Sequence, residues 1–97
     1  MFDLPTNSKK DKKEASKFRK FLIDDGYDML QYSTYVRICK GADAIETHKR
    51  RLIAKLPQKG NIRFLPLTNN TYERMSILLG EQKLSEKVKG KNQLLLF

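Results

Sequence analysis

Between Ser8 and Asp25 apolar residues recur at intervals of three and four. Ala15, Phe18, Phe21 and Leu22 form one stripe among lysines, and the spacing predicts a first helix over that span. Ser8 with Asp11 three residues later approximates a capping box, and Gly26 stands where a left-handed C-terminal cap belongs. Asp24 and Asp25 lie at the end of the helix where the dipole disfavours acids, and nothing in the pattern accounts for that pair. From Tyr27 to Cys39 the period becomes two, with Leu30, Tyr32, Thr34, Val36 and Ile38 on one side and Met29, Gln31, Ser33, Tyr35 and Arg37 on the other. That run exceeds the usual strand of about 5–6 residues, so it is one long bent ribbon or two strands meeting near Tyr32-Ser33-Thr34. Gly41 breaks it, and Asp43 with Glu46 reads as a capping box for a second helix to about Leu56, with Ile45, Leu52, Ile53 and Leu56 as its apolar stripe. Pro57 and Gly60 end that helix.

Asn61 to Thr68 is the next strand, and Pro66 makes it an edge or gives it a bulge. Asn69 to Met75 is a short helical turn, Met75 to Leu79 has a second chance to pair, Gly80 to Asn92 is a polar connection, and Gln93 to Phe97 is an apolar terminal strand. At the other end, Met1-Phe2-Asp3-Leu4-Pro5 reads as the end of a buried strand that Pro5 stops; it begins upstream or its pairing is abbreviated. Strand, helix, strand pair, helix, strand is the split βαβ order. The expected class is α+β, a ferredoxin-like βαββαβ antiparallel sheet with both helices on one face, plus an extra C-terminal strand. Residues 1–80 form the domain, and 81–97 the linker and a strand long-tethered enough to reach a neighbouring subunit.

Charge sharpens this picture. The chain has 97 residues, 20 Lys+Arg against 11 Asp+Glu, a net charge of +9 and 39% hydrophobic residues. One domain of this size removes roughly 60–65% of its unfolded surface from water, so a second copy is an expected source of stability. The positive excess points to polyanions. No apolar run approaches the ~20 residues of a membrane helix, no secretory signal opens the chain, and a lone Cys39 forms no internal disulfide, so the expected setting is a soluble cytoplasmic protein without a membrane partner.

Two features carry candidate chemistry. Asp3, flanked by Phe2 and Leu4, is expected to be partly desolvated and to need a cation or donor. It either caps the following turn, pairs with a lysine of the first helix, or shares a divalent ion with a second Asp3 across a twofold axis, because Mg²⁺ takes one or two carboxylates plus phosphate oxygens. The basic face of the first helix, Lys9, Lys10, Lys12, Lys13, Lys17, Arg19 and Lys20, is the candidate nucleic-acid contact. Lys49, Arg50, Arg51 and Lys55 form a weaker second group, since Glu46 can pair with Arg50 at helical spacing. His48 reads as a packed or surface imidazole, Cys39 as a buried thiol, and Tyr27, Tyr32 and Tyr35 as core or interface residues rather than base-stacking ones. Ser33 has no base at readable spacing, so nucleophilic catalysis has no support; separately, the sequence holds no glycine-rich phosphate loop.

In order along the chain, Phe2-Asp3-Leu4-Pro5-Thr6, Lys17-Phe18-Arg19-Lys20-Phe21-Leu22, Gly26-Tyr27-Asp28-Met29-Leu30-Gln31-Tyr32-Ser33-Thr34-Tyr35, Pro57-Gln58-Lys59-Gly60 and Tyr72-Glu73-Arg74-Met75 resemble the CRISPR-associated Cas-two family, in the form found in type II systems. The resemblance implies a homodimer at the centre of the spacer-acquisition complex, flanked by dimers of the integrase subunit and holding duplex foreign DNA. It also implies, for some members, a Mg²⁺-dependent (or other divalent cation-dependent) endonuclease acting on RNA or double-stranded DNA, with the aspartate that ends the first strand as metal ligand and catalytic residue. That aspartate is Asp3 here. Lys9, Lys10, Lys12, Lys13, Lys17 and Arg19 correspond to the duplex-contacting face, and Gln93 to Phe97 to the strand that docks on the dimer mate or the integrase. The leading expectation is a scaffold that binds duplex DNA and bridges integrase dimers, with the endonuclease as alternative.

Overall fold

The computed structural model describes residues 1–80 and the backbone of residues 93–96. It is a mixed α+β chain with small antiparallel sheets and three helices, and its elements are β1 (Phe2–Asp3), α1 (Lys9–Asp24), β2 (Asp28–Gln31), β3 (Thr34–Cys39), α2 (Ala42–Ala54), β4 (Asn61–Ile62), β5 (Leu65–Thr68), α3 (Asn69–Glu73) and β6 (Gln93–Leu96). No helix among the described residues is long and apolar enough to cross a membrane. The polar connection expected over Gly80 to Asn92 lies, apart from Gly80, outside the described residues.

Local chemistry sets the boundaries of α1. The Ser8 hydroxyl accepts from the Asp11 N–H at 3.1 Å. At the other end the Tyr27 N–H donates to Leu22 O and the Gly26 N–H to Ile23 O, the paired bonds of a Schellman motif, with Gly26 at φ 91°. The long alternating run resolves into two strands. Tyr32 and Ser33 form the turn between β2 and β3, Ser33 takes a left-handed φ of 61°, and the register slips between Met29 and Gln31.

The start of α2 differs from the expected capping box. Gly41 is the N-cap and no side chain caps the helix, so Asp43 lies inside the first turn, where its charge complements the helix dipole. The stripe also shifts. Ile45, His48 and Leu52 are buried, whereas Ile53 and Leu56 face solvent.

Period-two alternation along β3 separates two apolar clusters. Tyr35 and Cys39 point to the side covered by α1 and α2, joining Phe2, Leu4, Phe18, Leu22, Tyr27 and Leu52. Phe2 anchors this core, edge-on to Phe18 at 5.5 Å and stacked on Tyr35 at 5.6 Å between ring centroids. Val36 points to the opposite face and packs with Tyr72 of α3, while Leu30, Ile38 and Leu67 stay half-buried around them. The first two helices therefore share a face as expected, and α3 lies on the other.

Strand order is β2-β3-β6-β5, with β1 and β4 as a separate antiparallel pair. Asn61 to Thr68 divides at Arg63-Phe64 into β4 and β5, and Pro66 sits on β5, an edge strand, where its missing N–H is tolerated. Residues 75–79 form no strand; Leu78 and Leu79 are fully exposed. That segment has apolar residues, yet it pairs with neither outer edge of the sheet, β2 or β5. The terminal strand, expected to reach a neighbouring subunit, pairs here within its own chain, Leu96 facing both Val36 and Leu65. Phe2 pairs with Ile62 and donates to Ser33 O at 3.0 Å. The offset from Leu96 to Phe2 is the same measured from Val36 to Ser33 as from Leu65 to Ile62, so β1 and β6 lie end to end in one lane of the sheet.

Candidate nucleic-acid interface

α1 presents Lys9, Lys10, Lys12, Lys13, Lys17 and Lys20 to solvent, while Ala15, Phe18 and Leu22 bind its other side to the sheet. None of these lysines makes an ion pair among the described residues. Such a row is a diffuse cation that any phosphate backbone can neutralise, and its attraction weakens as salt screens it. Arg19 stands apart from the lysines. It is half-buried, its guanidinium carbon 5.7 Å from the Phe2 ring centroid and 5.2 Å from that of Tyr32, and its terminal nitrogen donates to the Tyr32 hydroxyl at 3.2 Å. Tyr27 and Tyr35 are core residues as expected, but Tyr32 is 75% exposed.

Asp3 is exposed, contrary to the expected desolvation. The reason is strand geometry. In a strand the flanking residues point to the opposite face, so Phe2 and Leu4 enter the core and Asp3 points away from it. Asp3 lies opposite Asn61 and lines a shallow, open hollow of about 300 Å³ with Met1, Phe2 and Arg63. No cluster of three or more metal-ligating side chains exists among the described residues. One carboxylate with an arginine beside it does not fit a divalent cation within a single chain, and no lysine of α1 pairs with Asp3 among the described residues. Burial lowers the Met1 amine to about 5, so at neutral pH it adds little charge there. Gly60 holds the backbone beneath Asp3 in place. At φ 114°, a Cβ on Gly60 would come 2.8 Å from the Asp3 carbonyl oxygen and 2.7 Å from Leu4 Cδ2. Gly60→Ala is expected to lower stability by about 2–4 kcal/mol in urea unfolding, from left-handed strain and overpacking together.

The buried polar network below the other end of α1 is absent from the sequence pattern. Arg37 Nε donates to His48 Nε2 at 2.9 Å, so His48 carries its proton on Nδ1, which faces Asp25 Oδ2 at 3.3 Å. Arg51 reaches Asp25 Oδ1 at 3.0 Å, and Arg37 also donates to the Asp25 carbonyl. One acid of the unexplained pair thus ties α1, β3 and α2 together. Asp24 remains exposed, and the structure gives no account of it. Burial, more than the Asp25 charge, pushes the Tyr27 phenol well up, and burial likewise raises the Cys39 thiol, leaving it unreactive. The only sequence signals that could have found this network are an arginine inside an apolar strand and a histidine at the edge of an apolar stripe. Arg37, His48, Asp25 and Arg51 thus join the C-terminal end of α1 to β3 and α2.

Comparison with known proteins follows from this geometry. The family model "CRISPR associated protein Cas2" matches residues 1–75. A CRISPR-associated endoribonuclease Cas2 of Acidovorax ebreus is 44% identical over 96 residues, covering 99% of this chain and 94% of that protein. The protein of the same name from Campylobacter jejuni is 46% identical over 97 residues, covering 100% of this chain and 68% of its own. That of Flavobacterium psychrophilum is 40% identical over 96 residues, covering 99% and 83%.

Proposed function

Because the chain belongs to the CRISPR-associated protein Cas2 family, we propose that it acts in spacer acquisition as a homodimeric, ferredoxin-like scaffold that binds duplex DNA without reading its sequence and bridges integrase dimers. The observation that carries this reading is the solvent-exposed lysine row of α1, which makes no ion pair among the described residues. Phosphate contacts fix where a duplex lies without selecting bases, which suits a protein that must accept any foreign fragment. Two copies carry +18, twice the +9 of one chain. The half-buried Leu30, Ile38 and Leu67, flanking Tyr72 on the sheet face away from α1 and α2, support pairing of two copies there. Hydrodynamic measurement of the protein with duplex and integrase subunit tests this reading. Two copies per assembly are expected, and a stable lone protomer at working concentration contradicts it.

The endoribonuclease name of the relatives favours a second reading, in which Asp3 serves phosphodiester cleavage. A divalent cation would then be held by Asp3 from each of two copies, since one chain does not supply enough ligands, and would polarise the phosphate and its attacking water. Asp3→Asn separates the two readings. With the scaffold as main role, the variant keeps duplex affinity within about twofold and supports spacer acquisition, while any cleavage due to Asp3 falls at least a hundredfold. Cleavage that persists in Asp3→Asn belongs to another group.

A further inference from the structure

The apolar stripe of α2 is wider than the core that receives it. Leu52 is 4% exposed and packs inward, but Ile53 and Leu56 are 58% and 46% exposed. A single apolar side chain in water needs no explanation. These two have neighbours of their own kind. Gly60, at φ 114°, turns the chain back, and Ile62 of β4 with Phe64 just after it comes to lie beside the end of the helix. Leu52, Ile53, Leu56, Pro57, Ile62 and Phe64 line one open hollow of about 250 Å³. That is below the roughly 300–1,000 Å³ of a small-molecule cavity, so the hollow fits side chains projecting from another backbone rather than a whole ligand.

Charge decides which backbone. Lys49 and Lys59 are the charged residues of the lining, no acid joins them, and neither makes an ion pair among the described residues. Lys49 stands one turn before Ile53 on the same side of α2, and its ammonium, 6.0 Å from the Phe64 ring centroid, sits at the rim. The carbonyl end of α2 opposes an anion here, so the lysine side chains and not the helix backbone supply the attraction.

Three kinds of occupant compete for such a hollow. A second copy presenting the same patch would set Lys49 and Lys59 against their own counterparts. Residues 81–92 of this chain hold four lysines and two glutamates, the wrong sign for this rim. A phosphate backbone would satisfy the lysines, but over an aliphatic floor it loses water and gains no partner. A protein segment with carboxylates around a pair of apolar side chains satisfies rim and floor together.

We infer that the hollow between α2 and β4 is a docking site for an acidic segment of a partner protein, its apolar side chains entering beside Ile53, Leu56 and Phe64 and its carboxylates meeting Lys49 and Lys59. The site shares no residue with the lysine row of α1, so it stands or falls independently of duplex binding.

The test pans random phage-displayed peptides of about twelve residues, long enough to cross the hollow, against the full-length protein. Enriched sequences are then measured as labelled synthetic peptides by fluorescence anisotropy. They are expected to carry acids around a pair of apolar residues. Ile53→Ser is expected to weaken their binding by about tenfold or more, and Lys49→Glu combined with Lys59→Glu by a similar factor. Circular dichroism and duplex affinity of Ile53→Ser should match the unsubstituted protein, because Ile53 is exposed. A library that yields no binder, selected peptides without acids, or binding that Ile53→Ser leaves unchanged overturns the inference. If unlabelled duplex displaces the peptides and Ile53→Ser has no effect, the two lysines belong to the nucleic-acid face; the inference is then overturned and the duplex-binding reading stands.

Discussion

Gly26→Ala is expected to destabilise the protein by about 3–5 kcal/mol, a large share of the roughly 5–15 kcal/mol that holds a domain of this size together. Two effects add. The alanine would have to adopt φ 91°, where its Cβ crowds the backbone at a cost of about 1–2 kcal/mol. That Cβ would also collide with the guanidinium of Arg37. Arg37 has nowhere to retreat without giving up His48 Nε2 and the Asp25 carbonyl, and losing hydrogen bonds from a charged donor adds about 1.5–3 kcal/mol. Urea unfolding followed by circular dichroism checks the total. Repeating the substitution in an Arg37→Met background isolates the collision: there Gly26→Ala is expected to cost only the backbone share of about 1–2 kcal/mol. A cost unchanged by Arg37→Met would show that the glycine is needed for its dihedral angle alone.

Replacing Lys9, Lys10, Lys12 and Lys13 together by alanine is expected to weaken duplex binding by about 10²–10³-fold at 0.15 M salt. The size follows from counterion release. Each phosphate contact contributes about −0.9 to the slope of log affinity against log salt, and extrapolating that slope from 1 M to 0.15 M gives roughly fivefold per contact. All four lysines are exposed and carry no ion pair among the described residues, so their loss leaves the core untouched. Alanine is a good helix former, and stability is expected to stay within about 0.5 kcal/mol of the parent. Affinity should fall alike for unrelated sequences, because these side chains meet phosphates and not base edges. Fluorescence anisotropy with two labelled duplexes of different composition measures both quantities. A loss confined to one duplex would assign the lysines a base-reading role.

Elements whose cause is local were legible in the sequence. Ser8, Gly26 and the stripe of Ala15, Phe18 and Leu22 define α1 almost to the residue, because caps and helical periodicity act over a single turn. Pro66 marked an edge strand for an equally local reason. What depended on partners distant in sequence was not legible. Asp25 looked misplaced at a helix C-terminus until Arg51 and His48, on another helix, supplied its counterparts. Asp43 looked like a cap, but the chain enters α2 two residues sooner, at Gly41. The Asp3 environment was misread from its flanking residues, when strand alternation makes residues two apart, not one, share a face. Residues 75–79 had strand composition but pair with neither outer edge of the sheet, and the structure gives no reason for it. The basic face was plain from charge alone, whereas the exposure of Tyr32, set by Arg19 and the turn at Ser33, was not.

The most direct test of the account is the affinity of the unsubstituted protein for two sequence-unrelated duplexes of equal length, measured from 0.05 to 0.3 M salt, a range chosen to span about sixfold in ionic strength. The account predicts two parallel straight lines in log affinity against log salt, each falling by about 0.9 for every phosphate neutralised. Affinity that stays flat across this range, or that favours one duplex over the other by more than about tenfold, the equivalent of 1.4 kcal/mol of base discrimination, would contradict it.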